Sequence, residues 1–434
     1  MIYLLAFFDC FIFIWCVSYL VIRIVYLKKQ KQIFSMLDWS NIGIFIFFIF
    51  PYFLGRMGIF EFKYNPSNEE VVYQGIGLVF LFVIFTYIGY YSSRVVTKKI
   101  ANSVSRIRFN LNFLKKVIII GVFLALFLIV NILNSIGLSN MDNNYILREK
   151  LSSFGPLVIL LQIPLGVSVY FWGELIKHKT KVNLLNAVFF MICATVIAFI
   201  RGQRTDLILI FLLPLIVLYA YKNTLKPLIL GITCAFFFAI LYATIFKSSY
   251  QLEGVTTFSD GIATFLNGDI DRNWTLWLTL ENTDFISSNI LPYYGSGYIY
   301  TFFAYIPRFL APFKGYSTES WFTFLLASNV GDNAGAVSIS DLSWGYAFGG
   351  IVEGILNFGI VGILFVGYFY GIAIRMLNTI VENKVDLYAV SSIICIDLAA
   401  YGAFTILIIQ VPILITVLIL NHSYKKKQYF ELRS

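Results

Sequence analysis

MIYLLAFFDCFIFIWCVSYLVI, residues 1–22, holds one charged side chain, Asp9, in an otherwise uninterrupted apolar run. At about 1.5 Å per helical residue, such a run crosses a hydrocarbon core roughly 30 Å thick. A β-barrel would instead show segments of about ten residues with alternating polarity. No basic segment precedes the run and no small-residue cleavage site follows it, so it is expected to be kept as a first span rather than removed as a signal peptide.

Working outward, the same pattern recurs. Apolar blocks at 2–22, 40–56, 72–93, 117–136, 154–176, 183–200, 206–221, 227–246, 351–374, 388–402 and 404–421 predict eleven spans. The fold class expected is therefore all-α, a polytopic membrane protein. Composition agrees, with 59% of the 434 residues hydrophobic and 13% charged, which excludes a soluble core. Residues 387–421 fit either one long tilted helix or a hairpin turning near AAYGAF. A single span would strand Lys425 to Lys427 outside, so charge favours the hairpin.

The spacing of the blocks divides the chain into an N-terminal bundle (1–246), a large loop (247–350) and C-terminal spans with a basic tail (351–434). Basic residues cluster in alternate connections: Arg23 to Lys31, seven between 94 and 116, then Lys177, Lys179 and Lys181. By the positive-inside rule these face the cytoplasm, which puts the N-terminus outside, the C-terminus inside and the large loop outside. That rule also explains the net charge of +9 without invoking nucleic acid. Cys10, Cys16, Cys193, Cys234 and Cys395 all fall in apolar blocks and read as small buried hydrophobes, neither a disulfide frame nor a metal site. No phosphate-binding loop of the G-x-x-x-x-G-K type is present, against an ATP-driven pump. Nor is there the internal repeat that many transporters show.

Three stretches carry candidate chemistry. RGQRTDLILI (201–210) puts Arg201 and Arg204 at an outer boundary, against the positive-inside bias. Either Thr205 or Asp206 caps the next helix while the arginines snorkel to headgroups, or the arginine forks and the helix N-terminus form an anion site. YIPRFLAPFKG (305–315) lies in an aromatic segment broken by Pro307 and Pro312. It suits an interfacial or re-entrant helix holding Arg308 near headgroups, with Lys314 close by. In SISDLSWGYAFGGIVEGILNFGIVGIL, Asp341 precedes the predicted span and Glu353 occupies its first outer turn. A helix dipole alone can account for that glutamate, and so can a carboxylate that orients or deprotonates a sugar hydroxyl. The glycines from Gly345 to Gly362 allow close helix packing or close approach of a ligand. Glu69 and Glu70 read as an exposed acidic loop or as ligands of a divalent cation. Asp397, inside an apolar block, is a functional suspect by its position.

The order of RGQRTDLILI, YIPRFLAPFKG in a large external loop, and VEGILNFGIVGIL opening the next span resembles the Wzy-type O-antigen or oligosaccharide repeat-unit polymerases. The resemblance implies a GT-C-like membrane glycosyltransferase of the bacterial cytoplasmic membrane. It would move a growing glycan from undecaprenyl pyrophosphate to a sugar hydroxyl of the next undecaprenyl-pyrophosphate-linked unit, without a cofactor or metal. Its partners would be those lipid-linked oligosaccharides, membrane lipids, and a flippase and chain-length regulator of the same pathway. Carried over by position, Arg201 and Arg204 match the arginines after the sixth span, Arg308 the loop arginine, and Glu353 the acid before Asn357-Phe358-Gly359. These four are the expected catalytic residues, with Asp206, Arg272, Lys314, Asp341 and Asn357 as substrate contacts. The chain departs from the family's arginine-to-glycine spacing of eleven, because residue 212 is Leu and residue 319 is Glu. A related O-antigen ligase would be expected to carry a histidine in the large loop, and 247–350 has none. A lipid-linked oligosaccharide flippase is the rival from another class.

Overall fold

The computed structural model describes residues 2–106, 111–136, 155–201, 204–242, 262–263, 265–306, 310–329, 338–339, 348–381 and 385–431. They form helices joined by turns, and no strand occurs among the described residues. In chain order these are α1 (Ile2–Gln30), α2 (Met36–Arg56), α3 (Glu69–Ser92), α4 (Arg94–Arg106), α5 (Leu111–Ile136), α6 (Ile163–His178), α7 (Lys181–Arg201), α8 (Arg204–Lys222) and α9 (Leu225–Tyr242). After the large loop begins come α10 (Asn273–Glu281), α11 (Thr283–Asn289), α12 (Ser296–Phe302), α13 (Thr318–Asn329), α14 (Gly350–Phe358), α15 (Gly362–Val381), α16 (Val385–Ala400) and α17 (Ala403–Glu431).

Among the described residues, seven helices are long and apolar enough to cross a membrane. Four shorter apolar helices, Lys116–Ile132, Leu207–Lys222, Leu225–Cys234 and Leu387–Ala400, fall on the remaining predicted spans. The hairpin reading of 387–421 holds, since α16 and α17 are separate helices parted at Tyr401 and Gly402.

The expected span 351–374 is corrected. It is two elements, the short α14 and the span α15, joined through Gly359 at φ +70°. That left-handed conformation suits glycine, and it ends α14 within a block that had been expected to run through as one span. The turn closes because Gly354 and Gly362 meet. A Cβ on Gly362 would stand 2.1 Å from the Gly354 carbonyl oxygen. Glu353 therefore lies in a short helix before the span, not in the first turn of the span itself.

The chain forms two compact units. One comprises Met1–Ala101, Ile262–Thr379 and Ile394–Ile406, the other Asn102–Gly261, Ile380–Ile393 and Leu407–Ser434. In the first, α2 starts from a capping box in which Ser35 and Asp38 exchange hydrogen bonds, and Arg23 grips the same Asp38 at 2.8 and 3.1 Å. Midway, α2 widens to a π-helical stretch at Phe45–Ile49. The Phe47 carbonyl there accepts from the Arg272 backbone N–H (3.1 Å), and the Phe48 carbonyl from the Asn273 side chain (2.9 Å). The irregular turn thus anchors the start of α10, a use typical of π-bulges. In the second unit, α6 packs on α7 and α8, and α8 on α9. A Cβ on Gly166 of α6 would stand 2.8 Å from Thr416 of α17.

Candidate active site

The Tyr401–Gly402 break leaves backbone groups at a buried helix end without helical partners, and such groups must be satisfied from elsewhere. Glu353 does this for Ala403, whose N–H donates to both carboxylate oxygens at 3.1 Å. The Tyr370 hydroxyl of α15 donates to the same carboxylate at 2.7 Å. The Tyr298 hydroxyl of α12 is directed at it without closing a hydrogen bond of good geometry. Glu353 is fully buried, at 0% exposure. Burial, and after it the neighbouring Glu319, raises its pKa against the pull of Tyr370.

One helical turn on, Asn357 joins three segments. Its amide nitrogen donates to the Glu353 carbonyl (2.9 Å) and the Thr318 hydroxyl (3.2 Å), while its side-chain oxygen accepts from Gly297 (3.1 Å). Its backbone carbonyl accepts from Gly295 at 3.1 Å. Thr318 opens α13, and the next residue is Glu319. One Glu319 oxygen accepts from the Thr405 hydroxyl at 3.3 Å, and the other closes no hydrogen bond of good geometry among the described residues. Two buried carboxyls therefore flank the Tyr401–Gly402 break, one hydrogen-bonded through both oxygens and, among the described residues, one through a single oxygen.

Arg272 supports the same break from α10. Its Nε donates to the Ala400 carbonyl (3.0 Å), and its Nη1 to the Asp271 and Gly268 carbonyls (3.1 and 3.4 Å). Its guanidinium also lies against the rings of Phe47 and Tyr401, at 5.8 and 5.5 Å. Lys314 is likewise turned inward, donating to the Ile306 carbonyl at 2.9 Å. Both had been expected as external cations for substrate; the fold spends the contacts seen here on carbonyls and rings.

Of the other expected site residues, Arg201 closes α7 and Arg204 opens α8, which puts Asp206 in the first turn of α8 rather than at a cap. The side chains of these three, and residues Arg308 and Asp341, lie outside the described residues. Glu69 pairs with Arg56 at 2.9 Å, and Arg56 also holds Asp9 at 3.1 Å. Among the described residues no group of three or more His, Cys, Asp or Glu side chains could hold a metal ion.

Glu319, Tyr298 and Tyr370 were not singled out from sequence. Glu319 entered there only as the residue eleven after Arg308, and only the packing of α13 beside the helix break makes it distinctive. Burial raises its pKa from 4.5 to about 7. Below about pH 4.5 the carboxyl is protonated in folded and unfolded chains alike and contributes nothing. Between 4.5 and about 7 the unfolded chain gives up its proton first, so stability falls as pH rises. Glu319→Gln is therefore expected to lose part of the decline in melting temperature that detergent-solubilised wild type shows from pH 5 to pH 8. Parallel curves for the two proteins would refute this.

No curated protein and no solved structure shows significant similarity to the chain. A family match, however, runs almost from end to end, over residues 1–428. It takes in α7 to α8, the large loop and α14, whose stretches carried the resemblance. The chain belongs to the family O-antigen polysaccharide polymerase Wzy.

Proposed function

We propose that the chain transfers a growing glycan from undecaprenyl pyrophosphate to a hydroxyl of the next undecaprenyl-pyrophosphate-linked repeat unit, at the outer face of the membrane. Its N-terminus is then outside and its C-terminus cytoplasmic. The family match over residues 1–428 carries this reading. As a member of that family the chain is a glycosyltransferase-like polymerase acting on lipid-linked O-antigen repeat units, and its apolar helices make it a multi-pass inner-membrane protein.

The chemistry asks for two things. The bond from the donor sugar carbon to the pyrophosphate oxygen breaks, its electron pair leaving with the pyrophosphate, so cations must meet the developing charge. The acceptor hydroxyl oxygen forms the new glycosidic bond and gives its proton to a base. Arg201, Arg204 and Arg308 fill the first role without a metal, their planar forks matching phosphate oxygens, with Asp206 as a substrate contact from the same stretch of sequence. On the acceptor side we place Asp341 and Glu319, whose second oxygen closes no hydrogen bond of good geometry among the described residues. Glu353, Asn357, Arg272 and Lys314 position that side by holding the helix break and the loop segments around it.

Glycan chain length in a strain lacking this protein tests the reading. Deletion is expected to leave a surface glycan of one repeat, and re-expression to restore the ladder. Long chains that persist on the lipid would mean ligation instead. Repeat units that never reach the outer face would mean transport.

A further inference from the structure

The loop segment from α12 to the start of α13 has its polarity reversed. In α12, Gly297 and Thr301 are buried while Ile299 and Phe302 face outward, Phe302 at 79% exposure. In the following turn, Leu310 and Phe313 are 64% and 63% exposed, whereas Lys314 beside them is only 5% exposed. The Lys314 ammonium points inward to the Ile306 carbonyl and lies 4.9 Å from the centre of the Tyr300 ring. Loops in water do the opposite, keeping lysine outside and phenylalanine within. The outward apolar residues are also continuous. Phe303 touches Phe302 on one side and Phe313 on the other, with ring centroids 5.1 and 5.0 Å apart.

This patch joins the membrane-spanning surface. Gly295 and Gly297, at the start of α12, are hydrogen-bonded to Asn357 of α14, and the Tyr298 ring stacks on Phe358 at 5.8 Å. Phe358 leads through Gly359 to Ile360 and Val361, both exposed, and then directly into the span α15. The outward apolar surface of α12 therefore begins where the lipid-facing surface of a transmembrane helix begins.

We propose that α12 and the turn at 310–314 are seated in the bilayer, with Ile299, Phe302, Leu310 and Phe313 among the acyl chains and bilayer lipid as the occupant of this face. Aromatic and apolar side chains at an interface anchor a segment in this way, while its polar groups find partners inside the protein. The seat would hold Asn357 and Glu319, on the inner side of the same segment, near headgroup depth. The inference rests on the chain spanning a membrane and not on the residue roles proposed for transfer.

Photocrosslinking on the full chain tests it. p-Benzoylphenylalanine is placed singly at 302, 310 and 313, and at Glu61 as an exposed control. Each protein is reconstituted in vesicles of phosphatidylethanolamine and phosphatidylglycerol, irradiated and weighed by mass spectrometry. The three test side chains are mostly exposed, so the larger residue has room to extend outward past the Phe303 ring, and a wild-type melting temperature in detergent checks this. Lipid adducts are expected at 302, 310 and 313 and absent at 61. Crosslinks to a second copy of the chain, or no lipid adducts at the three positions, would overturn the proposal.

Discussion

Lysine at both 201 and 204 is expected to reduce the surface glycan to one or a few repeats, with the purified enzyme slowed on the order of 10²-fold, the usual cost of losing a well-placed charge-stabilising donor. Both residues keep their charge in this variant. What they lose is the planar fork, which binds two phosphate oxygens at once where an ammonium acts as a point charge. The substitution separates the two readings of these residues. Lysine snorkels to headgroups as well as arginine does, so simple anchoring predicts an unchanged ladder. Position adds to the argument. Arg204 opens α8, and a cation at a helix N-terminus is unfavourable by about 0.3–1 kcal/mol unless an anion lies close. Asp206 in the first turn offsets part of this, and a bound pyrophosphate would offset more. Wild-type chain lengths in the double variant at normal membrane abundance would sink the donor-grip assignment.

How far the sequence reaches is clearest where two readings of equal strength met different outcomes. The apolar blocks were legible because a bilayer imposes length on a helix, and among the described residues each predicted block falls on helix, with 154–176 starting as a 3-10 stretch before α6 and 351–374 divided in two. The hairpin at Tyr401–Gly402 was legible through charge, since one span would have placed a trilysine on the wrong side. The break at Gly359 was not. Asn357 is the one polar residue beside it, already read as part of a motif, and a glycine that permits close packing looks the same in sequence as one that turns the chain.

The site divides in the same way. Glu353 and Asn357 stood out by their place in a motif, and the structure ties both to the framework around the helix break. Arg272 and Lys314 stood out as cations of the large loop expected to contact substrate, yet charge in a sequence does not say which way a side chain turns. Arg272 meets carbonyls left over by irregular backbone, and Lys314 meets the carbonyl of Ile306. Both are tertiary demands that no local pattern announces. Glu319 is the converse, an ordinary loop acid that is buried beside the break only because α13 packs there.

Glu353→Ala is expected to be lost from the membrane or to melt far below wild type, while Glu353→Gln keeps the fold and most of the polymerising activity. Alanine removes the acceptor for the Ala403 N–H and the Tyr370 hydroxyl together, and each buried donor left unpaired costs about 1–3 kcal/mol, before any cost of the cavity. Glutamine fills the same volume. Its amide oxygen takes the Ala403 N–H, and its amide nitrogen donates to the Tyr370 oxygen once that hydroxyl rotates. A residue that acts by holding a helix break needs shape and hydrogen bonds, not a titrating proton, so rescue by the amide marks a positioning role. Melting temperature and chain-length profile, measured on both variants, read the two properties separately. If Glu353→Gln melts as wild type yet yields one-repeat glycan, the carboxyl itself takes part in transfer. Glu319 would then serve its neighbour rather than the acceptor.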